Sequence, residues 1–80
     1  KIINFLLCLV LYILKIKGTS KIPDFVQIRD QEMTLIAYFR LSQIEQGLKK
    51  NGLQNNAKEI MDLLQVIPYG KIHKYYEDNE

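Results

Sequence analysis

The stretch IINFLLCLVLYILKIK, residues 2–17, decides how the rest of the chain is read. Phe5 to Leu14 are ten apolar residues without a break, and Ile2, Ile3 and Ile16 extend the run around Asn4 and Lys15. In a helix, Leu6, Leu7, Cys8, Leu9, Val10 and Leu11 would cover every side. A helix apolar all round belongs in a bilayer or at the centre of a large protein, and 80 residues offer no such centre. Residues 2–16 would reach roughly 22 Å as a helix, short of a hydrocarbon core of ~30 Å. Snorkelling by Lys1, Lys15 and Lys17, with Tyr12 at an interface, narrows the gap. The expectation is a single transmembrane helix over residues 1–17, with Ile2, Phe5, Leu6, Leu9, Val10, Ile13 and Leu14 as its anchor in the lipid bilayer.

Two other readings compete. A charged start, an apolar run and the small residues Gly18, Thr19 and Ser20 loosely fit a secretory signal. Those small residues follow Lys15 and Lys17 rather than the apolar run itself, which weakens that fit. Alternatively the run is a pair of buried strands, which Val10, Tyr12 and Ile13 tolerate. That reading requires a sheet covered on both faces, for which the remaining chain has little material.

The charge is uneven. The whole chain carries +2, but Lys1, Lys15 and Lys17 supply +3 of it, and from Gly18 onward eight bases face nine acids. With acids and bases interspersed, no basic stripe of the kind nucleic-acid binders carry is visible in the sequence, so no nucleic-acid partner is expected. Cys8 is the single cysteine. It sits among apolar residues with nothing beside it to stabilise a thiolate, so it reads as a small hydrophobe. Lys, Ile, Asn, Tyr, Phe and Met make up 35 of the 80 residues. These are residues of AT-rich codons, which suggests an organellar gene or a reduced bacterial genome.

Beyond the head, Gly18 to Pro23 read as a hinge, and residues 24–80 as a small α+β domain. Phe25-Val26-Gln27-Ile28-Arg29 alternates as a strand. Asp30-Gln31-Glu32 is a turn, and Met33 to Leu41 is a second strand rich in β-formers, giving a hairpin. Its apolar face would be Met33, Leu35, Ala37, Phe39 and Leu41, its outer face Thr34, Ile36, Tyr38 and Arg40. Ser42 with Glu45 matches a capping box at the start of a short helix, which Asn51-Gly52 ends with a left-handed cap. Asn56 with Glu59 opens a second helix in the same way, with Ala57, Ile60, Met61, Leu64 and Ile67 on one face. Pro68 stops it, Gly70 turns the chain, and Lys71 to Tyr76 form a last strand. The expected fold class is α+β: a membrane helix followed by ββααβ, an antiparallel sheet with two short helices on one face.

Candidate chemistry is sparse. His73 is the only histidine, lacks a neighbouring nucleophile or carboxylate, and reads as a surface residue. The scattered glycines make no phosphate loop, and Asp24, Asp30 and Glu32 lack the alternation of a calcium loop. No catalytic, metal or cofactor-binding residue, no cofactor and no small-molecule substrate is expected. The aromatics are more informative, because Tyr and Arg dominate the contacts that hold protein interfaces. Ile36, Tyr38 and Arg40 on the outer face, with Tyr75 and Tyr76 near the end of the chain, are the candidate partner interface.

The functional expectation is a small accessory subunit docking on a larger membrane protein complex. An organellar gene would make that complex photosynthetic or respiratory, with the thylakoid membrane as one location. Lys15, Lys17 and Lys21 behind the span place the body on the cytoplasmic side, or in the stroma or matrix. The alternative is a soluble binding or regulatory module whose apolar head is a core strand or a dimerisation element.

Overall fold

A computed structural model describes residues 9–77. The second half of the apolar head is a strand and not a helix: β1 spans Leu9–Ile16. It is followed by β2, Phe25–Arg29, and β3, Leu35–Arg40. A 3₁₀ turn at Leu41–Gln43 leads into α1, Ile44–Lys50, and a second at Gln54–Asn56 into α2, Ala57–Val66. The last strand is β4, His73–Glu77. The protein is α+β, βββααβ among the described residues, with one antiparallel sheet in the order β3-β2-β1-β4.

The expected membrane helix over residues 1–17 is thereby corrected over Leu9–Ile16, where Leu9, Val10, Ile13 and Leu14 of the proposed anchor lie. Ile2, Phe5, Leu6 and Cys8 fall outside the described residues. No helix among the described residues is long and apolar enough to cross a membrane. The physical reason is that β1 is a central strand. Leu11 and Ile13 are fully buried against the helices, while Val10, Tyr12, Leu14 and Ile16 are half-buried by their neighbours on the opposite face. A strand with both faces partly covered is apolar on both, and such a run imitates a helix that is apolar all round. No second layer is needed on the far side, because side chains from flanking strands cover it.

The segment read as a hinge is the β1–β2 connection, held by its own bonds. Thr19 N–H donates to the Ile22 carbonyl at 2.7 Å, and the Thr19 hydroxyl accepts from the amides of Lys21 and Ile22. In the β2–β3 turn the Asp30 carboxylate accepts from the amides of Glu32 and Thr34 at 2.9 and 3.0 Å, an Asx arrangement. This turn is longer than expected, and β3 starts at Leu35 rather than Met33.

Both helices pack on the sheet face that carries Leu11, Ile13, Val26, Ile28, Ala37, Phe39 and Tyr75, and Leu48, Leu53, Ile60, Leu64 and Ile67 complete the core. The two capping boxes do not form: neither α-helix has a side-chain cap. Asn56 is instead buried, its amide 3.4 Å from the Tyr75 hydroxyl. The α1 stop does form. Gly52 has φ +79°, and Leu53 and Gly52 donate to the carbonyls of Leu48 and Lys49, a Schellman ending.

One polar side chain enters the core from β1. Lys15 is 6% exposed, and its Nζ donates to the Leu64 carbonyl at 2.6 Å. The residue four positions after Leu64 is Pro68, which has no N–H to offer that carbonyl. The ammonium takes the missing donor's place at the negative end of α2.

Candidate functional site

The sheet has one face under helices and one without. Strand parity and register place Val10, Tyr12, Leu14 and Ile16 of β1 on the open face beside Phe25, Gln27 and Arg29 of β2. Tyr38 and Arg40 of β3 stand opposite Gln27 and Phe25. Lys74 and Tyr76 of β4 stand opposite Tyr12 and Val10. The strands thus bring together four aromatic side chains and three cations that are scattered along the chain.

The arrangement is ordered. Phe25 and Tyr38 stack with ring centroids 4.8 Å apart and an interplanar angle of 13°. Lys74 Nζ lies 5.7 Å from the Tyr12 centroid and 5.1 Å from that of Tyr76. The Tyr76 hydroxyl, followed by electrostatic attraction to Tyr12, holds the Lys74 ammonium above its ordinary value. Arg29 stands opposite Tyr12, its guanidinium donating to the Met33 carbonyl at 3.1 Å, and Arg40 opposite Phe25, so every cation on the face shares a cross-strand pair with an aromatic residue. No Asp or Glu lies among the strand positions assigned to this face. Tyr38 and Tyr76 are 52% and 59% exposed.

Of the expected interface residues, Tyr38, Arg40 and Tyr76 are here. Ile36 and Tyr75 are not. A bulge between Ile28 and Arg29 puts Leu35 opposite Arg29 and leaves Ile36 unmatched, and Ile36 packs against the core. The same shift explains why Met33 and Leu35, read as core-facing, are each 45% exposed. Tyr75 follows the alternation of β4 inward: it is 8% exposed, and its hydroxyl meets Asn56 and donates to Glu59. Sequence reasoning missed Tyr12, Phe25, Arg29 and Lys74. Their signal is a period-2 set on three strands, legible only once Leu9–Ile16 is recognised as a strand.

A second polar cluster closes one end of the sheet. The Asp24 carboxylate accepts from the Gly18 amide and the Tyr69 hydroxyl, both at 2.7 Å. Those two bonds, the Gly18 amide first, hold Asp24 below its ordinary value, with smaller help from Lys17 and Lys15. The Tyr69 hydroxyl is raised by the same bond. Lys15 and Lys17 lie 4.6 and 5.0 Å from the Tyr69 ring centroid, and the Gly70 amide donates to the Lys15 carbonyl. This cluster ties the loop after α2 to β1.

A groove of about 540 Å³ runs along the free edge of β3, between Leu35–Arg40 and Gln43, Gln46 and Lys50. Among the described residues, no group of three or more His, Cys, Asp and Glu side chains could hold a metal ion. Comparison with protein-family models, with curated proteins and with solved structures finds no match.

Proposed function

We propose that the chain is a non-catalytic binding module whose docking surface is the open face of the sheet. The observation that carries this reading is the exposure of Tyr38 and Tyr76, with Arg40 and Lys74, on a sheet whose opposite face alone is covered by helices. Aromatic rings lose little conformational freedom on docking, and guanidinium groups are weakly hydrated, which suits both to concentrating binding energy. The organisation favours a module whose head strand belongs to its own sheet. Docking on a larger membrane complex is a narrower form of the same reading. Its separate support, a span over residues 1–17, loses Leu9–Ile16 to β1.

The test is recovery of a tagged full chain from its native source with whatever it binds, beside thermal melts of each variant. Tyr38→Ala, Arg40→Ala and Tyr76→Ala should each lose the bound component while melting normally. Val66→Ala, on the exposed side of α2, should retain it. Normal recovery by all three open-face variants would place the docking surface elsewhere.

A further inference from the structure

We infer that the open face binds single-stranded nucleic acid, by stacking bases on its rings and pairing phosphates with its cations. The inference rests on the open face being the docking surface and adds what occupies it. The sequence expectation of no nucleic-acid partner came from interspersed charges. Folding separates those charges: Arg29, Arg40 and Lys74 come from three different strands onto one face. Among the described residues, Asp30 and Glu32 lie in the β2–β3 turn, Asp24 is held by Gly18 and Tyr69 at the end of the sheet, Glu77 takes the β4 register position alternate to Tyr76, and Glu45, Glu59 and Asp62 are on the helices.

Three features together select the occupant. The absence of carboxylates from the strand positions of the face calls for an anion. It also argues against a second copy of the chain, since face-to-face pairing would set these cations against their own images. The rings call for planar partners: Tyr38 over Phe25 forms one platform, and Tyr12 and Tyr76 around Lys74 form another. The direct cross-strand pairing of Arg40 with Phe25, and of Arg29 and Lys74 with Tyr12, sets a charge beside each platform. Lys74 Nζ lies 5.7 and 5.1 Å from the Tyr12 and Tyr76 centroids, which keeps a cation within reach of the phosphate of a nucleotide stacked there. Antiparallel sheets with exposed aromatics bind unpaired bases in this manner, with Arg or Lys on the backbone. Gln27, at the centre between Leu14 and Tyr38, can address a base edge or a sugar hydroxyl. A duplex hides its base faces and would gain only the charge contacts.

The experiment is fluorescence anisotropy of the purified full chain with labelled oligo(U) and oligo(dT) twelve-mers. Controls are a hairpin duplex, poly-glutamate and phosphatidylserine vesicles. Binding of at least one single-stranded probe is expected, tighter than of the duplex. The salt slope should be near −2, about −0.7 for each of three cations. Tyr38→Ala and Tyr12→Ala should weaken binding about five-fold or more, the loss of one stacked base, and Arg40→Gln should make the slope shallower by about 0.7. Preference between the two probes then distinguishes RNA from DNA. Three results would overturn the inference: no binding of either strand at about 100 µM protein, the weak end of non-specific affinity; equal affinity for duplex or poly-glutamate with no effect of Tyr38→Ala; or vesicle binding alone. If the oligonucleotides fail but the open-face variants still lose their native partner, the docking surface stands and only its occupant is wrong.

Discussion

A methyl group on Gly47 would stand 2.3 Å from Cγ of Phe39, so α1 and β3 touch with no room between them. An ordinary Gly→Ala change inside a helix is favourable by about 1 kcal/mol. Here the Phe39 ring must move to admit the methyl, and overpacking of this kind costs about 1–3 kcal/mol. Gly47→Ala should therefore lower the urea midpoint. Combined with Phe39→Leu, the loss should be smaller than the two single losses added. A raised midpoint for Gly47→Ala would show that the ring yields freely.

Lys15→Met keeps the stem of the side chain and removes the donor to the Leu64 carbonyl. Pro68 cannot take over, so a buried carbonyl is left without that donor, at a cost of about 1–3 kcal/mol. Lys17→Met, which only leaves the exposed side of the Tyr69 ring, should cost less. Equal midpoints for the two variants in urea would remove the capping role assigned to Lys15.

The Asp24 carboxyl titrates lower in the folded chain than in the unfolded one, because the Gly18 amide and Tyr69 hydroxyl bond its ionised form. A depressed native value contributes stability that is complete above the unfolded-state value of about 3.9. It is lost as pH falls through the native value. Between pH 7 and pH 5 this group should make little difference to the slope of stability with pH, and below about pH 4 it should steepen it. Asp24→Asn should flatten the acid limb in denaturation curves taken across that range. An unchanged limb would mean the carboxylate is not engaged in solution.

Neighbouring positions on β3 should behave oppositely. Phe39 is buried among core side chains, and Phe39→Ala should cost about 3–5 kcal/mol. Tyr38→Ala, on an exposed ring, should shift the midpoint far less. Reversal of that order would put the wrong face of the sheet toward the helices.

Where local chemistry decides structure, the sequence was readable. The β2–β3 hairpin, the Gly52 ending of α1, the apolar face of α2 and the stop at Pro68 all rest on a few adjacent residues, and all are present. The reading broke down where neighbours distant in sequence decide. Nothing within residues 9–16 says that β2 and β4 will flank them, so a central strand looked like a span. The bulge at Ile28 and Arg29 is a property of pairing, which moved Ile36 inward and Leu35 outward. Tyr75 and Tyr76 are alike in sequence, yet one fills the core and the other faces outward. The candidate site was half legible for the same reason: Tyr38, Arg40 and Tyr76 were found without the β1 and β2 residues that complete their surroundings.

The pairing of β1 with β4 has a temporal consequence. Leu11 and its neighbour Tyr75 are separated by most of the chain. As the polypeptide leaves the ribosome, β1, β2 and β3 can associate early. One edge of β1 then stays bare, its outward backbone amides and carbonyls unpaired, until His73–Glu77 emerges. At a synthesis rate of ~5–20 residues per second, that interval lasts about 2–7 seconds. A nascent chain of this design spends it with its most apolar strand at the margin of a three-stranded sheet, where a chaperone or a neighbouring ribosome's product can reach it first.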